Sequence, residues 1–332
     1  MMARRSRAAR SREIDAIGVP ASPYIQRQLP FFDVLDEAQI EKLEAQVDWI
    51  LQDVGIAFRD DPESIALWKK EGATVKGDIV TAPADWIRSL CAKAPREFTQ
   101  LARNPERSVV IGGNNQVFAP IYGAPFVRDL DGGRRYGDMK AFDDLVRLTY
   151  MHPNLHHGGF VTCEPCDVPV SKRHLDMLYS HMTLSDKPHL GAITEMSRAQ
   201  DSVDMAEIVF GADVMAENCV IMGNVNTNSP LLVDKVVTEA ARVYSSRGQG
   251  MVVVPFILSG AMGPVSTAAS VAQAMAEAMM VCAYVQLLRP GAPFVLGNFL
   301  SSMSLKTGAP TFGMPEPIMS NYAIGQLARR AG

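Results

Sequence analysis

The sequence predicts an α/β fold of the TIM (β/α)8-barrel type, incomplete at about six strand–helix units of the eight that a closed barrel needs. Three observations predict it. From residue 138 onward, helical segments alternate with short apolar runs at regular spacing. The runs are continuously apolar, as in Met251-Val252-Val253-Val254, which marks strands buried on both faces and hence a parallel sheet. The runs also end in polar or Pro/Gly-rich segments, with no Gly-rich dinucleotide fingerprint and no Walker-type loop. That favours a barrel over a doubly wound sheet, because barrel enzymes build their sites from such loops.

Residues 1–30 read as a basic, disordered tail. Arg4, Arg5, Arg7, Arg10 and Arg12 precede the first acid, Glu13, and no apolar stretch follows that would make a secretory signal. Residues 31–107 read as an N-terminal helical layer. Its first helix spans residues 33–58, with Asp36 as N-cap, Ile40, Leu43, Val47, Ile50 and Leu51 at helical spacing, and Gly55 as a stop signal. Shorter helices are expected at 62–71 and at 83–93, the latter opened by Pro83 and closed before Pro95. Residues 108–332 read as the partial barrel. A β-meander leads it, with runs at 109–111, 117–119 and 125–128 and a tight turn at Asp131-Gly132-Gly133. Helices at 138–151, 170–185, 198–215, 231–247 and 265–288 are each followed by an apolar run, at 155–162, 188–193, 219–225, 251–257 and 293–299; a last helix covers 315–330.

The composition excludes several classes. With 47% hydrophobic and 20% charged residues, the chain has enough apolar side chains for a large core and is neither disordered nor collagenous. A net charge of −4 gives no global pull toward nucleic acid. Five cysteines, mostly in apolar surroundings, point to a reducing, cytoplasmic compartment. The most apolar stretch, 265–288, contains Gln273, Glu277 and Gln286, so it reads as a helix buried against a sheet and not as a membrane span.

The candidate chemistry lies at the strand ends. All six histidines fall between His152 and His189, and His157 precedes Cys163 and Cys166 at a spacing used by zinc sites. His156 and His157 point to opposite faces of a strand, so at most one of them joins the cysteines. The Cys163–Cys166 pair also fits a redox motif, but not in a chain of this length. Cys91, Cys219 and Cys282 read as core, and His174, His181 and Asp176 as packing or solvated helix residues. Glu277, on an otherwise apolar helix, reads as a hydrogen-bonded carboxylate facing a loop, because an unpaired buried charge is costly. The segment 224–229 sets Asn224, Asn226, Thr227, Asn228 and Ser229 directly after a buried strand, with Ser229 placed to cap a helix at Pro230. Phe160, Phe256, Phe299 and Phe312 recur near strand ends, where aromatic faces can hold a methylated ammonium.

Taken in order, these segments resemble the trimethylamine methyltransferase (MttB-like) superfamily. The resemblance is carried by Asn104-Pro105-Glu106-Arg107 through Ile111-Gly112-Gly113, by Gly137-Asp138, and by Glu164-Pro165-Cys166-Asp167-Val168-Pro169. It continues in residues 226–231, 260–265, 286–293 and 306–316 and in Gln326-Leu327-Ala328-Arg329, so it runs from about residue 30 to residue 332. It implies a TIM-barrel methyltransferase that takes a methyl group from a tertiary or quaternary amine, such as trimethylamine or glycine betaine. The methyl passes to the Co(I) corrinoid (cobalamin) of a separate, cognate corrinoid protein. No tightly bound cofactor, metal, nucleic acid or membrane belongs to this picture, and a homo-oligomer is compatible with it.

Strand-end position and the resemblance together assign the site. Glu195 is the catalytic candidate, as an acid or a hydrogen-bond partner. Asn224, Asn226 and Ser229 would contact the polar end of the substrate, and Phe160, Phe256, Phe299 and Phe312 would pack around its methyl groups. Ser302, Met303 and Thr311 would shape the mouth where the corrinoid docks. Family members acting on trimethylamine carry pyrrolysine in the C-terminal part of the barrel, which this sequence lacks. The expectation is therefore a pyrrolysine-free, C-terminally truncated member. The alternative is a truncated, inactive barrel or binding protein that keeps part of the amine site and exposes sheet edges. A third reading, metal-dependent lyase or hydrolase chemistry, rests on His157, Cys163 and Cys166.

Overall fold

Helix formation begins where a short polar side chain can satisfy the first free amides. In the computed structural model, which describes residues 24–332, Asp36 accepts from the Gln39 amide at 2.8 Å and the Gln39 side chain accepts from the Asp36 amide at 3.0 Å. This capping box opens α1 (Glu37–Trp49). Residues 1–23, where most of the basic tail falls, lie outside the described residues. Ile25–Gln26, at the end of that expected tail, is strand β1.

A π turn, Ile50–Val54, follows α1, and Gly55 at φ 81° ends it. The helix expected to residue 58 stops there, and Ile56–Phe58 is strand β2. Next come α2 (Pro62–Lys70), capped by Asp61, then β3 (Thr74–Lys76), β4 (Ile79–Thr81) and α3 (Ala84–Cys91). The meander comprises β5 (Glu97–Gln100), β6 (Val109–Gly112), β7 (Asn115–Gln116), β8 (Phe126–Asp129) and β9 (Gly133–Tyr136). Residues 117–119 are not a strand: the Phe118 carbonyl instead accepts from the amides of His156 and His157.

The alternating part then follows, with α4 (Met139–Met151), α5 (Arg173–Leu184), β10 (His189–Gly191), α6 (Met196–Phe210), α7 (Ala212–Glu217), β11 (Ile221–Val225) and β12 (Leu232–Val233). It ends with α8 (Lys235–Ser246), β13 (Gly250–Val253), β14 (Phe256–Ser259), α9 (Thr267–Leu288), β15 (Phe294–Leu296), β16 (Phe299–Ser302) and α10 (Pro315–Ala331). The helix expected over 198–215 is divided by Gly211 at φ 87°. The helix expected from 231 starts at Lys235, with Asp234 and not Ser229 as its cap.

Strands β10, β11, β13 and β15 form a parallel sheet in that order, and β14 and β16 extend its last pair as a parallel ribbon. Helices α6, α8 and α9 make the crossovers. The run expected as a strand at 155–162 is not regular. Gly159 at φ 66° breaks its pleat, leaving the Gly158 amide on the Pro188 carbonyl at 2.8 Å and the Leu190 amide on the Gly159 carbonyl at 3.0 Å. Among the described residues the sheet does not close into a barrel, and β15 and β16 form its open edge.

The helices cover one face of this sheet closely. Gly191 and Gly223 are registered neighbours on β10 and β11, and the Tyr244 ring of α8 lies over both, its hydroxyl donating to the Ala192 carbonyl at 2.8 Å. A Cβ on Gly223 would stand 2.7 Å from Tyr244 Cε2. Gly223→Ala is therefore expected to lower the unfolding free energy by about 1–3 kcal/mol, as overpacking does, measured by denaturant titration at constant m-value.

Helix α9 packs against this sheet and beneath α1, α3 and α10. It is long and apolar enough to cross a membrane, yet 89% of its apolar window is buried inside the protein, as expected for a core helix. The N-terminal layer is not purely helical and does not stand apart. Its sheet, β12-β2-β4-β3, borrows β12 from the alternating part. Phe58, Trp68 and Tyr284 meet at ring-centroid distances of 5.5 to 6.3 Å. Asp61, buried beside them, accepts from Arg242 at 2.6 Å and from Ser64 and Thr238 at 2.5 Å.

Candidate functional site

The alternation of strand side chains divides the sheet into two faces. Gly191 and Gly223 face α8, so Asn224, registered with Val252, points the other way. On β14, Ile257 is buried and the Ser259 hydroxyl donates to Ser270 of α9 at 2.9 Å. Phe256 and Leu258 therefore share the face of Asn224. Phe256 is registered with Phe299 on β16.

Here the structure assembles three of the four expected phenylalanines. Phe256 and Phe299 have centroids 5.2 Å apart, and Phe299 and Phe312 stack at 5.2 Å with 10° between their planes. Phe299 and Phe312 are 46% and 51% exposed, so the stack presents aromatic surface to solvent. Exposed Leu305 and Met314 flank it in sequence. Phe160 is not part of the group. It is buried and packs on the His181 ring, 5.9 Å away.

Asn226 is exposed and, among the described residues, its side chain makes no hydrogen bond with the protein. Asn224 Oδ1 is buried without a partner. Asn224, on the sheet face that Phe256 shares, and Asn226, in the loop directly after β11, thus keep hydrogen-bonding capacity to spare. Ser229 does not share this freedom. Its hydroxyl donates to Glu277 at 2.6 Å, beside those of Thr227 at 2.5 Å and of the Leu231 amide at 2.8 Å. The carboxylate that α9 buries is indeed hydrogen-bonded to a loop, and Ser229 serves that bond and not the helix cap expected of it.

Ser302, Met303 and Thr311 come together, but on each other. The hydroxyls of Ser302 and Thr311 lie 2.6 Å apart, the Thr311 amide donates to the Ser302 carbonyl at 2.9 Å, and Met303 bridges to Pro310. They close the 303–310 loop, which ends just before Phe312 in sequence. Glu195 stands at the N-terminus of α6, on the rim of the sheet. Its carboxylate is exposed and accepts from Arg198 at 2.7 Å, so it is an ion-pair partner and not a buried acid.

The histidine-rich stretch is used internally. His157 Nε2 lies 3.1 Å from Gln100 Oε1, and its Nδ1 accepts from the Gly159 amide at 2.9 Å. Cys163 is buried and its thiol is pushed up to about 11, by burial first and then by the Asp138 carboxylate, whereas Cys166 is exposed. Among the described residues no three His, Cys, Asp or Glu side chains converge in a metal-holding group. The role of Tyr244 follows no motif and was not read from the sequence, whereas a lone carboxylate on an apolar helix was signal enough to read Glu277 as bonded to a loop.

Comparison with known proteins places this geometry. The family model described as trimethylamine methyltransferase (MTTB) matches residues 3–332. The chain is 36% identical over 305 residues to the glycine betaine methyltransferase of Desulfitobacterium hafniense strain Y51, covering 92% of this chain and 64% of the relative. It is 24% identical over 331 residues to the proline betaine:corrinoid methyltransferase of Eubacterium limosum, covering 93% of this chain and 66% of the relative. The chain thus spans less than two thirds of the length of these curated relatives. Among solved structures, the monomethylamine methyltransferase MtmB of Methanosarcina barkeri superposes with a TM-score of 0.52 at 11% identity. That match covers 88% of this chain and 64% of the other, a likeness of fold alone.

Proposed function

Since the chain belongs to the trimethylamine methyltransferase (MTTB) family, we propose that it is a methyltransferase that moves a methyl group from a tertiary or quaternary amine to the Co(I) corrinoid of a partner protein, working in the cytoplasm on the scaffold of a TIM-type barrel. The observation that carries the reading is the Phe256–Phe299–Phe312 stack, with Phe256 on the sheet face of Asn224 and Asn226 in the loop that follows that strand. An aromatic face attracts a methylated ammonium by about 0.5–2 kcal/mol, more as water leaves. Free amides suit the polar end of a betaine.

The corrinoid, when its carrier presents it, supplies the nucleophile that accepts the methyl group. An exposed aromatic and aliphatic mouth, Phe299, Phe312, Leu305 and Met314, fits such a carrier. The chain's own residues have two tasks, holding the methylated nitrogen at a fixed angle and excluding water from it. A quaternary amine leaves without a prior proton, so no buried acid is required, in keeping with the exposed ion pair of Glu195.

The test is substrate-dependent methylation of a cob(I)alamin carrier by the full-length protein with glycine betaine, carnitine and trimethylamine, followed in the visible spectrum. No transfer with any of them would sink the reading. Phe299→Ala and Asn226→Ala are each expected to weaken binding of the transferred amine at least about fivefold, a loss of about 1 kcal/mol. Unchanged affinity in both would remove the site from this face. A second reading, an amine-binding protein without turnover, has one observation in its favour, the open edge of β15 and β16. Binding without methyl transfer would establish it.

A further inference from the structure

Glu277 does more than satisfy its own charge. It is 0% exposed, and its Oε2 accepts from the Thr227 and Ser229 hydroxyls at 2.5 and 2.6 Å. Its Oε1 accepts from the Leu231 amide at 2.8 Å and from Gln273 Nε2 at 2.9 Å. Each partner can donate, so this cradle suits an acceptor-only carboxylate and not an amide. The loop it holds is not one that relaxes into place unaided. Leu231 sits at φ 53°, a left-handed conformation that a Leu side chain disfavours, and the carboxylate fixes that residue's amide.

Gln273 lies one turn before Glu277 on α9 and extends the grip to a second loop. Its Nε2 also donates to the Met262 carbonyl at 3.3 Å, and its Oε1 lies 2.9 Å from where a Cβ on Gly263 would be. The loop after β11, which carries Asn226 and Asn228, and the loop after β14 are thus tied to one point on a buried helix.

We infer that Glu277, with Gln273, is the positioning residue of the amine site: it sets where Asn226 stands relative to the aromatic stack, without touching the substrate. The inference rests on the methylated-amine reading above.

The test has two arms on the full chain. Hydrogen–deuterium exchange of the ligand-free protein reads the loop. In Glu277→Gln, amides of residues 226–232 are expected to exchange at least about tenfold faster, while β13 and the centre of α9 stay at wild-type rates. Titration calorimetry with glycine betaine reads the site, and a tenfold or greater loss of affinity is expected. Should Glu277→Gln fail to fold, Thr227→Val, which keeps the side-chain shape and removes one donor, is expected to move both readouts in the same direction by a smaller factor. Unchanged exchange at 226–232, or faster exchange with unchanged affinity, would overturn the inference. Absence of wild-type binding to both glycine betaine and trimethylamine would instead overturn the functional reading, and with it the role given to the loop.

Discussion

Lowering the pH from 7 to 5 is expected to remove about 4 kcal/mol from the unfolding free energy, about 2 kcal/mol for each of His157 and His181. Both are buried, and burial first, then the neighbouring His189, lowers each from 6.5 to about 3. The geometry shows why the neutral ring is required. His157 Nδ1 already accepts from the Gly159 amide, so a second proton would meet an N–H. His181 donates its Nε2 proton to the Phe160 carbonyl at 2.7 Å and stacks on His189 at 5.3 Å, where a second imidazolium would be repelled. The sign follows from the direction of the shift. The folded state binds fewer protons than the unfolded state between pH 6.5 and 3, so stability is complete above 6.5 and falls with pH through that window. Denaturant titrations at pH 7, 6 and 5 check it, and equal midpoints at pH 7 and 5 would refute it. His181→Asn should flatten the slope by about half even though the variant is less stable throughout.

Replacing Arg242 by Met is expected to cost about 3–5 kcal/mol, because it leaves the Asp61 carboxylate buried without its counter-charge. Burial alone would raise Asp61, but hydrogen bonds from Arg242, Ser64 and Thr238 overcome it and hold the carboxyl at about 2. The stabilisation is thus present above the ordinary carboxylate value of 3.8 and is lost as pH falls toward 2. Arg242 also donates to the Tyr284 hydroxyl at 2.9 Å, so the substitution loosens α8 from both α2 and α9. Asp61→Asn combined with Arg242→Met should recover a large part of the loss, since the unpaired charge is then gone. A double variant no more stable than Arg242→Met would show that the ionic pair is not the cause. The measurement is equilibrium unfolding at pH 7.

Much of this architecture was legible from local signals. Asp36 announces a helix because it is a short acceptor placed before an apolar period, and it is a cap in the structure; Asp61 and Asp138 cap the helices that follow them in the same way, although neither was singled out from the sequence as a cap. The runs around Met222, Val252 and Val295 read as buried parallel strands because they are almost continuously apolar, with Asn224 near the end of the first as the one polar side chain inside them. What escaped is non-local. Residues 155–162 carry the apolar content of a strand, but Gly159 adopts a left-handed angle and the pleat fails. Strand β2 read as the end of a helix, since only its partners at Val80 and Leu232 make it a strand. Ser229 looked like a helix cap because the polar residue before a proline usually is one. Its true partner, Glu277, is 48 residues away. The aromatic site was legible as a list of strand-end phenylalanines, but the stack became visible only when register set Phe256 beside Phe299.

The pairing of β12 with β2, and of Asp61 with Arg242, has a consequence for synthesis. The N-terminal layer leaves the ribosome first and is completed last. Phe58 and Trp68 lack their cover until Tyr284 emerges, and β2 lacks its neighbour until Leu232 does. At bacterial-to-eukaryotic elongation rates of about 5–20 residues per second, that wait is on the order of ten to forty seconds. During it the nascent chain displays two large aromatic rings and one open edge of β2, whose other edge β4 has already paired. Holding factors bind such surfaces, so production of this protein should depend more on what shields the first seventy or so residues during that interval than on the final stability of the fold.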